Sequence, residues 1–357
     1  MKAIRWILLI IVMLAQSCVR LNGPEYDVPE YGYIFFEPGL SSKSAVVENF
    51  SGKSFGVMGY DYTGDWETVK VQATPELFYD LKVSDTKVGE SYTGVFSYEN
   101  PKEWNQGSTY SFFGYYPHST EPDARVTPTD ASYEGVPSIT YTMPSRDASS
   151  ENLIDHTLMQ DVMTAHVYDV NNSGSGTVNL TFKHRLTAFD IKARNFNASA
   201  EKIRNIKVKL TSLLYDAVTL PLDDELPITK TPRTAADKSA SFVISGHEPV
   251  DGAVTILPTS TDDATPSPIT AEDEVMIVIP QTKAENGGSF GISGSISFER
   301  YTGSGYTSIE PVDFSSDKDL DPGKRYTFLV TFSDSAIRIV IIESGDWEDN
   351  DVDIEFE

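Results

Sequence analysis

A single cysteine, Cys18, stands in a chain of 357 residues. One thiol cannot close an intrachain disulfide, so the fold must hold by packing alone. It also leaves no thiolate metal cluster. Basic residues are scarce: 28 Lys and Arg stand against 53 Asp and Glu, for a formal net charge of −25. Such a surface repels nucleic acid, whose binding needs cations to displace phosphate counterions. The five histidines, His118, His156, His166, His184 and His247, show no His-x-His or His-x-x-x-His spacing, so no metal site is expected. His184, inside TFKHRL, reads instead as a hydrogen-bonded core or interface histidine.

Other chemistry is missing too. Gly52-Lys53-Ser54 has Val47 where a phosphate loop needs its first glycine. Gly291-Ile292-Ser293-Gly294 is one residue short of a serine nucleophile elbow. Asp349, Asp351 and Asp353 have the alternate spacing of a calcium loop, but Ile354 occupies the place of its turning glycine. Val352, Ile354 and Phe356 share one face of that stretch and read better as a short strand. No catalytic constellation and no cofactor are expected, and the chain does not read as an enzyme.

Only one long apolar run exists. Lys2 and Arg5 precede ten uninterrupted apolar residues, Trp6 to Ala15, and Ser17 stands directly before Cys18. A bilayer span needs about 20 residues, so the run fits a secretory signal core. A small residue before the cysteine resembles a bacterial lipobox. Residues 1–17 are then a lipoprotein signal peptide, and Cys18 becomes the acylated, palmitate-bearing N-terminus. Several acyl chains make membrane attachment lasting where one is marginal. Residues 18–32, rich in Pro and Gly, read as a tether.

Beyond the tether, apolar residues recur with period two, the mark of half-buried strands. Tyr110, Phe112, Gly114 and Tyr116 share a face, as do Val178, Leu180 and Phe182, then Ile206, Val208 and Leu210, then Tyr326, Phe328, Val330 and Phe332. The run 275–280 is apolar on both faces and reads as a central strand; Ile337 to Ile342 is similar. Turn clusters such as NNSGSG (171–176) and PLDD (221–224) separate them. The best helix candidate, PELFYDLK (75–82), offers a turn or two. The pattern is all-β and argues for antiparallel β-sandwiches. The chain's length suggests two domains, placed at 33–172 and 173–357 with NNSGSG at the boundary.

Several blocks, in order, resemble the fimbrillins, in particular Mfa-like lipoproteins of type V pili. They are FGVMGYDYTGDW (55–66), YENPKEWNQGSTYSFFGYYPH (98–118), PSITYTMP (137–144), LMQDVMTAHVYD (158–169), VNLTFKHRLTAFDIKAR (178–194), VMIVIPQT (275–282), LDPGKRYTFLVTF (320–332) and Trp347. The resemblance implies two tandem transthyretin-like sandwiches and export as an outer-membrane lipoprotein at the cell surface or in a fimbrium. It also implies assembly with other subunits: a trypsin-like protease removes the first strand, and a strand of the next subunit replaces it. Cys18 matches the acylated residue. Val352, Ile354 and Phe356, with Ile337 to Ile342, match the donor or C-terminal strand. The family's stalk subunits are cut after arginine, but Arg20 lies too close to the lipid and the next arginine is Arg125. Lys43 and Lys53 are the basic residues in the right region, and an uncut subunit would suit an anchor. A host or bacterial surface ligand is compatible with such a protein. The alternative is a stand-alone surface lipoprotein that binds glycan, with Trp66, Trp104 and Trp347 and the many tyrosines as aromatic platforms.

Overall fold

The computed structural model describes residues 32–41, 49–144, 153–155, 159–171, 176–196, 202–233, 240–243, 266–269, 275–301, 303–333 and 337–346. Cys18, Lys43, Trp347, the acidic triplet at 349–353, and Val352, Ile354 and Phe356 lie outside them. In chain order the strands are β1 (Phe35–Leu40), β2 (Ser54–Tyr62), β3 (Phe78–Val88), β4 (Ser91–Ser97), β5 (Thr109–Tyr116), β6 (Val126–Pro128) and β7 (Ser138–Thr142). Next come β8 (Leu153–Asp155), β9 (Met163–Val170), β10 (Thr177–His184), β11 (Thr187–Asn195), β12 (Ile203–Leu210), β13 (Tyr215–Pro221) and β14 (Thr229–Pro232). The last are β15 (Ala240–Val243), β16 (Ser267–Pro268), β17 (Met276–Val278), β18 (Ile292–Tyr301), β19 (Tyr306–Ser316), β20 (Lys324–Phe332) and β21 (Ile337–Asp346). One helical turn, α1 (Trp66–Val69), lies between β2 and β3 and is capped by the Asp65 carboxylate, which accepts from Thr68 N–H at 2.9 Å. The all-β class is as expected.

These strands form four sheets. The first has seven strands in the order β1-β10-β9-β5-β2-β3-β4. The others run β14-β13-β7-β6, β19-β18-β12-β15-β8 and β16-β11-β20-β21, with β17 also on β11. Most pairs are antiparallel. Three are parallel: β1 with β10, β8 with β15, and β11 with β20. The division expected at 172 falls between β9 and β10, which are neighbours in the seven-stranded sheet. Strand β13 likewise reaches back to pair with β7, Val218 opposite Tyr141.

Two apolar cores result. The first lies on one face of the seven-stranded sheet and is mostly aromatic: Phe36, Phe50, Phe55, Phe78, Tyr98, Trp104, Tyr110, Phe112 and Phe182 among others. The second is mostly aliphatic. It gathers the opposite face of β2 and β5 (Met58, Tyr60, Phe113, Tyr115) with side chains from β7, β11, β12, β13, β18 and β20. Strands β2 and β5 therefore bury both faces, and TYSFFGYY carries aromatic rings on each of them. Glycines let the faces close: a Cβ on Gly59 would lie 2.6 Å from the Phe78 ring, and one on Gly114 would lie 2.9 Å from Phe182 Cζ.

The segment PELFYDLK is not helical. From Phe78 it is extended and antiparallel to β2, with Phe78 and Val83 delivered to the first core. Neighbouring β2 supplies a ladder and a core that outweigh any local helical spacing. The run Ile337 to Ile342 is β21, hydrogen-bonded along β20 from Ile337–Phe332 onward, so it serves this chain's own sheet.

Candidate functional site

Strand β1 is an edge strand, yet it is the piece that closes the first core. Its inward side chains, Ile34 just before it and Phe36 within it, are 0% and 3% exposed. Phe36 sits among three rings, with centroids 5.3 Å from Phe112, 5.8 Å from Phe78 and 5.9 Å from Tyr98. Such offset and edge-on aromatic contacts add to the burial of each ring. The outward residues alternate with these: Phe35 and Glu37 face solvent.

The backbone of this segment is held from both sides. On one side it runs parallel to β10, from Phe35–Thr177 to Leu40–Phe182. Phe35 N–H donates to Gly176 O at 2.8 Å, and Ser41 N–H donates to Phe182 O at 2.9 Å. On the other side the ladder is brief. Ile34 N–H donates to Lys102 O at 2.8 Å, Trp104 N–H donates to Gly32 O at 3.2 Å, and Tyr33 bridges Glu103. The Tyr98 hydroxyl donates to Ile34 O at 2.6 Å and accepts from Lys102 N–H at 3.2 Å. Burial pushes the Tyr98 phenol up to about 12, partly offset by that Lys102 N–H. The segment thus bridges the two margins of a curled sheet. Without it, β10 and the stretch 98–104 would be left with unpaired backbone groups over an exposed aromatic core.

Lys53, in contrast, is fixed. It lies one residue before β2, partly buried, with its N–H donating to Phe50 O at 3.0 Å and its carbonyl accepting from Asp85 N–H at 3.2 Å. Both Lys53 and position 43 follow β1 in the chain, so a cut at either would detach all of β1.

The other singled-out residues resolve into structure. Trp66 and Trp104 are 1% and 3% exposed. Trp66 packs on Tyr60 at 4.9 Å and Trp104 on Tyr110 at 4.9 Å, so neither offers a platform to a sugar. His184 is the core histidine expected: its Nδ1 lies 2.9 Å from Asp161 Oδ2, with both side chains 1% exposed. One cluster was not legible in the sequence. His166 of β9 meets Asp223 and Asp224, after β13, at cation-ligand range. Its oxygens serve the protein's own donors: Lys183 Nζ lies 2.7 Å from Asp224 Oδ2, His166 Nδ1 lies 3.2 Å from Oδ1, and Tyr168 OH donates to Asp223 Oδ2 at 2.6 Å. The arrangement is an ion-paired tie between β9, β10 and the loop after β13.

Fold and seam together define a multi-sheet β protein whose aromatic first core is closed along one margin by an edge strand. The chain belongs to the fimbrillin-like family, whose profile matches residues 47–347. The fimbrium subunit Fim1C of Phocaeicola vulgatus is 28% identical over 161 residues, which cover 43% of this chain and 36% of that protein. The chain thus aligns with only about a third of this curated relative. A fimbrial protein from Bacteroides vulgatus superposes with a TM-score of 0.64 at 19% identity, over 88% of this chain and 99% of that one. A candidate cell-adhesion protein from Bacteroides uniformis gives 0.50 at 15% identity, over 89% and 99%. At these identities the two structures speak to the fold.

Proposed function

We propose that this chain is a subunit of a cell-surface fimbrium, exported as a lipoprotein through Cys18 and joined to its neighbours by exchange of β1 for a strand of another subunit. The observation that carries the reading is the seam. A single edge strand, parallel to β10 and nearly alone in capping an aromatic core, is the kind of element that can leave as a unit and be replaced by β-strand addition. Its removal needs one backbone cut between β1 and β2. Lys43 suits that cut better than Lys53, because the Lys53 turn is hydrogen-bonded on both sides and must open before a protease can seat it. The family membership and the fimbrial relatives support a structural role at the cell surface. The glycan-binding alternative loses Trp66 and Trp104 to the cores.

Limited trypsin digestion of the chain lacking residues 1–17, read on non-boiled gels, tests the exchange. A ladder of polymer after a cut near residue 43 is expected. A trimmed product that stays monomeric would remove the pilus-joining reading. Separately, Cys18→Ala should release the protein from the membrane fraction, and retention there would refute the acyl anchor.

A further inference from the structure

In the sheet β19-β18-β12-β15-β8, three adjacent strands alternate between the second core and an outer face. On β12, Val208 and Leu210 enter the core while Lys207 and Lys209 face outward. On β18, Ile296 and Phe298 enter it while Ser295 and Ser297 face outward. On β19, Ile309 and Val312 pack against it while Glu310 and Asp313 are exposed. The register lines these residues up. Lys209 lies opposite Ser295, which lies opposite Asp313. Lys207 lies opposite Ser297, which faces the bulge that carries Glu310. Two successive rows across the face therefore read cation, serine, anion. In the neighbouring row Arg204 is already satisfied: its Nε lies 2.7 Å from Glu299 Oε2, and its guanidinium stacks 3.6 Å from the Tyr306 ring centroid. Among the described residues, no hydrogen bond or ion pair meets the side chains of Lys207, Lys209, Glu310 or Asp313.

We propose that this face pairs with the same face of a second copy of the chain, about a two-fold axis that runs along the serine row of β18. Such an axis carries β12 of one copy over β19 of the other and keeps every residue at its own level along the strand. Lys209 of each copy then stands over Asp313 of the other, and Lys207 over Glu310. The small serines meet at the axis and let the two faces approach. The four charges that lack partners within one chain all gain one in the pair. The pattern also selects the partner. A uniform polyanion would suit the lysines but meet Glu310 and Asp313 two strand spacings away, at about 10 Å. The net charge of −25 opposes association of copies, but physiological salt screens it beyond about 8 Å, while charges in facing rows reach one another directly. Three strands of eight residues offer about 400 Å² per copy, the size of a weak and reversible contact. That suits chains already held side by side on one surface. The sheet is not the one that holds β1, so this association goes beyond strand exchange and does not depend on it.

The test uses the chain from residue 18 onward, never exposed to protease and carrying Cys18→Ala, so that neither strand exchange nor a thiol links copies. Sedimentation equilibrium should show a reversible monomer–dimer equilibrium at high micromolar concentration. Lys207→Glu with Lys209→Glu should weaken it by at least about tenfold, because like charges then face each other. Glu310→Lys with Asp313→Lys should do the same. Mixing the two variants should restore the dimer, since each supplies the charges the other now needs. Ser295→Arg, which sets two cations against each other at the axis, should weaken the dimer without touching either charged row. A wild-type chain that stays monomeric overturns the proposal. So does a dimer that either double reversal or Ser295→Arg leaves unchanged, or a mixture of the two reversals that stays monomeric. Heparin serves as the polyanion probe. If it binds a monomeric wild type and is lost with Lys207→Glu and Lys209→Glu, the lysines serve a polyanion and the self-partner is wrong.

Discussion

The two cores of this protein are built differently. The second is enclosed by several sheets and filled largely with Ile, Val and Leu from strands whose partners flank them. The first is a nest of rings closed along one margin by one short strand. Aliphatic side chains spread over many strands make a core that no single element can open. Large rings concentrated around one strand make a core whose integrity depends on that strand: each ring buries much area, so few residues suffice to seal it and few need leave to expose it.

The largest effect expected from this contrast follows removal of β1. Losing Ile34 and Phe36 from the core forfeits about 3–6 kcal/mol, at about 1.5–3 kcal/mol per large apolar side chain. Hydrophobic-dye binding should rise, and amide exchange should accelerate along β10 and residues 98–104, with β11 and β20 unchanged. Loss of protection in both regions would show that the cores do not open separately. Next, Phe189→Ala, at a fully buried site of the second core, should cost about 3–5 kcal/mol and lower the denaturant midpoint of the whole molecule. Phe36→Ala should instead act mainly through local opening of β1, read by hydrogen exchange.

A smaller loss, about 1–3 kcal/mol, should follow Gly114→Ala, because the new Cβ meets Phe182 and must displace it. Smallest is Tyr98→Phe, at about 1–2 kcal/mol for one buried hydrogen bond to Ile34 O. The same hydroxyl contributes, with other buried tyrosines, to sensitivity at alkaline pH. In the unfolded chain the phenol ionises near its ordinary value of 10, while in the fold burial holds it protonated to about 12. The unfolded state therefore sheds the proton first, and this contribution, present below pH 10, is lost as pH rises from 10 to 12. A pH titration of thermal stability, wild type against Tyr98→Phe, should show that difference. Parallel curves would remove Tyr98 from the alkaline transition.

Much of the strand content was legible because alternation survives translation into structure. Tyr110 and Phe112 share the first core, as do Val178, Leu180 and Phe182. The doubly apolar run at 275–280 includes β17, which is buried as its residues suggest but pairs with β11 alone among the described residues, and β21 ends its sheet, so neither is the central strand expected. PELFYDLK misled because its fate is set by β2, a neighbour that its own residues do not announce. The His166–Asp223–Asp224 tie left no local signal, since it joins a strand to a loop far along the chain.

By itself the sequence determined that this protein is β-rich, free of intrachain disulfides and strongly acidic, and which side chains point toward apolar surroundings. These follow from composition and from the two-residue period of an extended chain. Only the tertiary structure decided that β1 lies parallel to β10, and that one ring, Phe36, closes an aromatic core. A parallel pairing between strands so distant in sequence is chosen by the shape of the groove and the unpaired backbone on its two margins, and no local stretch of residues encodes either.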